Sequence, residues 1–169
     1  YIAAGVTGVT DPGNLAAVND ALAAADAADS NSLEEVQALT DAVSGVLAGA
    51  AGTADEPTLA DLTALGITDV TADNLSAVQA AIAATADDGT AVDTVAELQA
   101  LASGVTDALD TISDYDGNNT APTAADYTAA GVTGVTDPGN LAAVNDALAA
   151  AGAADSNSLE EVQALTDAV

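Results

Sequence analysis

The chain has 169 residues, 27 of them Asp or Glu, none of them Lys, Arg, His, Cys, Met, Trp or Phe, and a formal net charge of −27. A surface without cations releases no counterions from phosphates and is repelled by anionic lipid, which argues against nucleic-acid partners and membrane-surface binding. Without His, Cys or Lys there is no Ser–His or Cys–His nucleophile, no His/Cys zinc site, no P-loop lysine and no Schiff base.

Carboxylates, hydroxyls and amides remain for chemistry. Catalysis by carboxylates alone needs a walled cleft, which small, aromatic-poor modules rarely build, so the chain is expected to be no enzyme and to hold no organic cofactor. Half of the residues are hydrophobic, but Ala supplies much of that half. The expected core is therefore thin and aliphatic, with about 1.5–3 kcal/mol per fully buried large side chain before entropy is subtracted. No run of 18 apolar residues is present, so no membrane insertion is expected.

Internal repetition dominates the pattern. Residues 1–43 recur at 127–169, differing only at Ile2/Thr128 and Asp26/Gly152, and a diverged copy lies between them. The unit is roughly 61–65 residues long, which divides the chain into repeats at 1–50, 51–118 and 119–169. The first helix of the first repeat and the third helix of the last are expected to be truncated.

In chain order, the first repeat opens on Tyr1 and Gly5-Val6-Thr7. Its second helix is predicted from Asp11-Pro12, an N-cap followed by Pro at the first helical position. Leu15, Val18 and Leu22 follow at i, i+3 and i+7. After the Asp29-Ser-Asn31 loop, Ser32-Leu-Glu-Glu35 forms a capping box, and Leu33, Val36, Leu39, Val43 and Val46 stripe a third helix. A linker from Gly49 to Pro57 leads to the second repeat. There Thr58 to Asp61 caps a short first helix with Leu59, Leu62 and Leu65 on one face, and Gly66 suits the left-handed end.

The next helix is predicted from Thr71-Ala-Asp73, with Leu75, Val78 and Ile82 in its stripe. An Asp87 to Thr90 loop follows, and Thr94-Val-Ala-Glu97 opens a long third helix striped by Val95, Leu98, Leu101, Val105, Leu109 and Ile112. The second linker runs from Asp114 to Pro122. Thr123 to Asp126, Gly131, Asp137-Pro138 and Ser158 to Glu161 then repeat the signals of the first two copies. The period is helical throughout, so the predicted fold class is all-α: tandem three-helix bundle repeats in an elongated array.

Two motifs invite chemical readings. The segment Asp114-Tyr-Asp116-Gly-Asn118-Asn-Thr120 spaces oxygens at alternate positions, as calcium loops do. Asn119 sits where an EF-hand has its turn Gly, and no Glu follows at the twelfth position. The segment is thus either an Asx-rich linker or a calcium site that stiffens the join through Asp114, Asp116 and Asn118. Glu34-Glu35 and Glu160-Glu161 are adjacent carboxylates, with one of each pair expected to cap a helix and the other to face water. Tyr1 and Tyr127 stand where Leu62 stands in the second repeat, a core position of the first helix.

Gly66-Ile67, Asn74-Leu-x-x-Val-x-x-Ala-Ile82 and Thr94-Val-x-Glu-Leu-x-Ala-Leu101 resemble the GA module, the three-helix albumin-binding-type domain of bacterial surface proteins. The resemblance implies a three-helix bundle whose second and third helices can meet a protein partner. The aromatic and Lys residues with which GA modules meet albumin are replaced here by Ala, Asp, Asn and Gln, so the shared residues are mainly caps and core. The Ala/Thr/Asp/Val-rich, cation-free composition is also similar in style to repeats of giant adhesins exported by type I secretion. The expected role is a spacer in a long secreted protein at the bacterial cell surface, serving attachment or biofilm. Its partners would be neighbouring repeats. The alternatives are a GA-like module binding a host or surface protein, and a self-associating extracellular fibre or sheath.

Overall fold

A computed structural model describes residues 1–10, 12–53, 56–85 and 91–169. It contains helices α1 (Pro12–Ala24), α2 (Leu33–Ala50), α3 (Leu59–Ala64), α4 (Leu75–Ala83), α5 (Val95–Ser113), α6 (Ala124–Ala129), α7 (Pro138–Ala151) and α8 (Leu159–Asp167). Two single 3₁₀ turns, Ile2–Ala4 and Ala153–Asp155, complete the regular structure, and no strand occurs among the described residues. The protein is all-α. No described helix is long and apolar enough to cross a membrane.

The helix ends follow the sequence signals closely. Ser32, Thr58 and Thr123 each accept a hydrogen bond from the backbone N–H three residues on, and Glu35, Asp61 and Asp126 reach back to the N-cap backbone. Asp137 takes the N–H groups of Gly139 and Asn140 at 2.9 and 3.0 Å, directly before Pro138. Ser158 accepts from the Glu161 N–H at 3.4 Å, but Glu161 reaches back to Asn157 rather than to Ser158. The Asp11 cap, residues 54–55 of the first linker and the loop at 87–90 lie outside the described residues.

The short first helices close identically. In α3, Gly66 at φ 76° lets its own N–H reach the Thr63 carbonyl and the Ile67 N–H reach the Leu62 carbonyl, both at 3.0 Å. Gly131 at φ 82° does the same in α6 with Thr128, Val132 and Tyr127. Both are Schellman endings, in which a residue free to adopt the left-handed conformation satisfies two orphan carbonyls. The flanking pairs Leu62/Ile67 and Tyr127/Val132 are buried, which seals the turn.

The chain packs into two compact units, which divide it differently from the repeats. One comprises Tyr1–Val70 with Ile82–Ala102, the other Thr71–Ala81 with Ser103–Val169. In the first, α1 packs on α2 and α2 packs on α3. Its core holds Val18, Ala21, Leu39, Val46, Leu62 and Leu98, among others. In the second, α7 packs on α8, and Val78, Ile112, Tyr127, Val144, Leu148 and Val162 are buried.

Three expectations change at the level of residues. The helix predicted from Thr71 starts instead at Leu75, because Asn74 accepts the Thr71 N–H at 2.7 Å and holds residues 72–74 as a turn. The stripe of α1 is displaced: Val18 is buried, but Leu15 is 39 % exposed and Leu22 half-buried, while Ala17 and Ala21 take the core. Leu33, expected in the stripe of α2, is also exposed. In α1 the small Ala residues take the core, and the larger Leu side chains fall to the flank.

Candidate functional site

The conspicuous constructions of the molecule lie where one repeat passes to the next. At the first join, α2 of the first repeat packs on α3 of the second. The close approach is made possible by Gly49: a Cβ placed there would lie 3.1 Å from Pro57 Cδ and 3.4 Å from Ile82 Cγ2. Pro57 is buried in consequence. A second tie crosses the same join, as the Val95 N–H at the start of α5 donates to Asp20 Oδ2 of α1 at 2.8 Å. A carboxylate from one repeat thus caps the longest helix of the next, where the helix dipole favours negative charge.

Asp20 shares this corner with Asp93 and Glu97. A hydrogen bond with Glu97 is the main force that raises the Asp93 carboxyl above its usual range, with burial next and the Glu97 and Asp20 charges adding to it. Glu97 is lowered, first by its hydrogen bond with the Thr94 hydroxyl at 2.7 Å and then by Asp93. The corner is a capping arrangement in which two carboxyls share a hydrogen bond.

At the second join the chemistry is polar. Asn118 N–H donates to Asp116 Oδ1 at 2.9 Å, and Asn119 Nδ2 donates to the Asp114 carbonyl at 2.9 Å. The Asp116 carboxyl is held below its usual range, chiefly by the Asn118 backbone N–H. Calcium takes six to eight oxygens. Of the candidate ligands Asp114, Asp116 and Asn118, Asp116 has one carboxylate oxygen engaged by the Asn118 amide of the same loop. No group of three or more acidic side chains able to hold a metal occurs among the described residues. The geometry fits an Asx turn.

The loop leads to a buried polar chain. Tyr127 is wholly buried, its hydroxyl donates to Asn145 Oδ1 at 2.6 Å, and Asn145 Nδ2 donates to the Pro122 carbonyl at 3.0 Å. Burial, with lesser contributions from Tyr115 and Asp126, pushes the Tyr127 phenol up to about 12. Tyr1 makes the equivalent bond to Asn19 at 2.6 Å but is only half-buried.

The adjacent Glu pairs take structural positions. Glu35 Oε2 accepts from the Asn31 and Ser32 N–H groups, Glu161 Oε2 accepts from Asn157, and Glu34 and Glu160 are exposed. An open groove of about 440 Å³ has Asp26, Asp29 and Glu35 along it, with Ala and Leu side chains between.

One recurring device has no counterpart among the expectations. Gln37 Oε1 accepts from the Thr7 N–H at 2.8 Å while its Nε2 donates to the Thr7 carbonyl at 3.2 Å. Gln99 holds Thr68, and Gln163 holds Thr133, in the same two-pronged way. Each clamp fastens the strap after the first helix to the third helix. Its sequence trace is a Gln two residues beyond the Glu of the capping box, paired with Gly-Val-Thr or Gly-Ile-Thr about thirty residues earlier.

Comparison with known protein families, with curated proteins and with solved structures finds no match to the chain.

Proposed function

We propose that the protein is a spacer: tandem three-helix repeats in an elongated array, part of a long secreted bacterial surface protein that holds an adhesive region away from the cell. The observation that carries this reading is the packed first join. Pro57 packs against Gly49 and Asp20 accepts from the start of α5, contacts that support a fixed step from one repeat to the next over a flexible tether. Repeats that contact mainly their neighbours add reach in proportion to their number. The clamps and caps recurring in every repeat support the same reading, since they serve shape and present no reactive group.

High negative charge suits such a role, because like-charged neighbouring copies resist co-aggregation and swapping. The resemblance to GA modules keeps a second role in view, a protein-binding surface on the second and third helices. Self-association into a fibre is a third.

Spin labels on Glu34→Cys and Glu160→Cys, both exposed positions in a chain without other Cys, test the spacer directly. A single narrow distance is expected. A broad distribution would refute a fixed step, and a sedimentation coefficient that rises with concentration would favour the fibre. Capture of one serum protein at micromolar strength would favour the binding module.

A further inference from the structure

The first and third repeats share their sequence but bury different sides of it. Six residues make up one face in the first repeat: Tyr1, Ala4, Val9, Leu15, Asn19 and Leu22. Ala4, Leu15 and Asn19 are exposed, and Tyr1, Val9 and Leu22 are half-buried. Their identical counterparts in the third repeat are Tyr127, Ala130, Val135, Leu141, Asn145 and Leu148. All of these are buried except Leu141, which is half-buried. The Ile2/Thr128 and Asp26/Gly152 differences do not explain the contrast, since both positions are exposed in both copies.

The covering in the third repeat is identifiable. The Pro122 carbonyl takes Asn145 Nδ2, Tyr115 stands close enough to raise the Tyr127 phenol, and the backbone at Gly117 comes so near that a Cβ there would sit 3.3 Å from Ala149 Cβ. All three belong to the stretch from the end of α5 through the second linker.

The opposite side behaves conversely. Ala17, Ala21, Leu39 and Ala42 are buried in the first repeat, where α3 packs on α2 and where Leu65, Val92 and Leu98 line a small apolar gap with the two Ala residues. Their counterparts Ala143, Ala147 and Leu165 are half-buried, and Ala168 is exposed. Each repeat therefore has an entry side and an exit side of unlike chemistry.

We infer that the Tyr1–Ala4–Val9–Leu15–Asn19–Leu22 face is a docking surface for the helix-end and linker segment of another repeat, of the kind that residues 103–126 supply to the third. Tyr1, Ile2, Val9, Pro12 and Leu15 border an open groove of about 530 Å³ on this side, which the linker would fill. Entry and exit sides differ, so the contact is head-to-tail and propagates in one direction. The inference deepens the spacer reading by naming what sets the direction of growth, and it rests on that reading only for its biological setting.

The test extends the full chain by placing a copy of its residues 103–126 ahead of Tyr1. The Tyr1 ring and Asn19 side-chain amide resonances are expected to move onto those of Tyr127 and Asn145. The Asn19 amide should also gain protection from exchange by about tenfold or more, as opening becomes rarer. An extension of scrambled sequence should leave both residues unmoved. A synthetic 103–126 peptide added to the unextended chain provides a second measurement, with shifts expected at the six face residues. Unmoved Tyr1 and Asn19 signals in both experiments, or equal shifts with the scrambled extension, would overturn the docking surface. Either result would leave the spin-label distance, and with it the spacer reading, to stand or fall separately.

Discussion

The two joins bury a proline with two chemistries. Pro57 and Pro122 are both buried, and both precede a Thr that caps a short helix. At the first join α2 presents Gly45 and Gly49 to Pro57, and contact is backbone to ring. In α5 the corresponding positions carry Asp107 and Thr111, and Pro122 is held through its carbonyl by Asn145 beneath Tyr127. Reducing two side chains to hydrogens at one join and adding a buried phenol at the other are thus alternative ways to bury a linker proline. The first depends on packing and the second on satisfying polar groups out of water.

The largest expected effect falls on the second join. Tyr127→Ala should cost about 3–5 kcal/mol in urea denaturation, as other buried aromatic truncations do. Tyr127→Phe keeps the ring but leaves Asn145 Oδ1 without its donor, at a cost of about 1–3 kcal/mol. The equivalent Tyr1→Phe change on a half-exposed ring should cost measurably less, and equal costs would erase the distinction between the two sites.

The pH dependence sharpens the same contrast. The Tyr127 phenol is raised from 10.0 to about 12 in the folded chain, so its neutral form is favoured by folding. That contribution is whole below pH 10 and is lost as the pH rises through 12. An alkaline melting series should show this loss, and Tyr127→Phe should remove it.

At the first join, Gly49→Val should cost about 1–3 kcal/mol through overpacking against Pro57 and Ile82. Thr111→Val, at the matching place in α5, should stay within about 0.5 kcal/mol as an exposed substitution. Similar losses at both positions would mean that the close approach at Gly49 is not what fixes the first step. The smallest effect belongs to the clamps: Gln37→Ala should cost about 0.5–1.5 kcal/mol, the net worth of ordinary hydrogen bonds. For the Asp114–Asn118 loop, a melting temperature unchanged by EDTA is expected of an Asx-rich linker, and a fall would mark a calcium site.

What could be read from the sequence was chiefly the ends of helices. Ser32, Thr58 and Thr123 announce themselves because capping needs a particular oxygen at a particular spacing, and Gly66 and Gly131 because few other residues accept a left-handed backbone. The faces were harder. In α1 nearly every turn offers an Ala, so the periodicity of Leu15, Val18 and Leu22 did not reveal that Ala17 and Ala21 face inward. Which side of a repeat is buried depends on its neighbour, and the sequences at 1–43 and 127–169, alike at every residue of the two faces, cannot encode that difference. The Gln clamps left a recurring trace, but a Gln on a helix surface carries no chemical signature until its partner thirty residues away is known.

The absence of Lys, Arg and His has a consequence for where such a fold can persist. Its ties are made by amides, hydroxyls and carboxylates accepting N–H groups, so dissolved electrolyte has no ion pair between side chains to dissolve and only mutual repulsion to quieten. The range of that repulsion shrinks from about 8 Å at physiological ionic strength to about 3 Å in molar salt. Brine, which loosens proteins stitched together by opposite charges, should leave this one tighter than fresh water does.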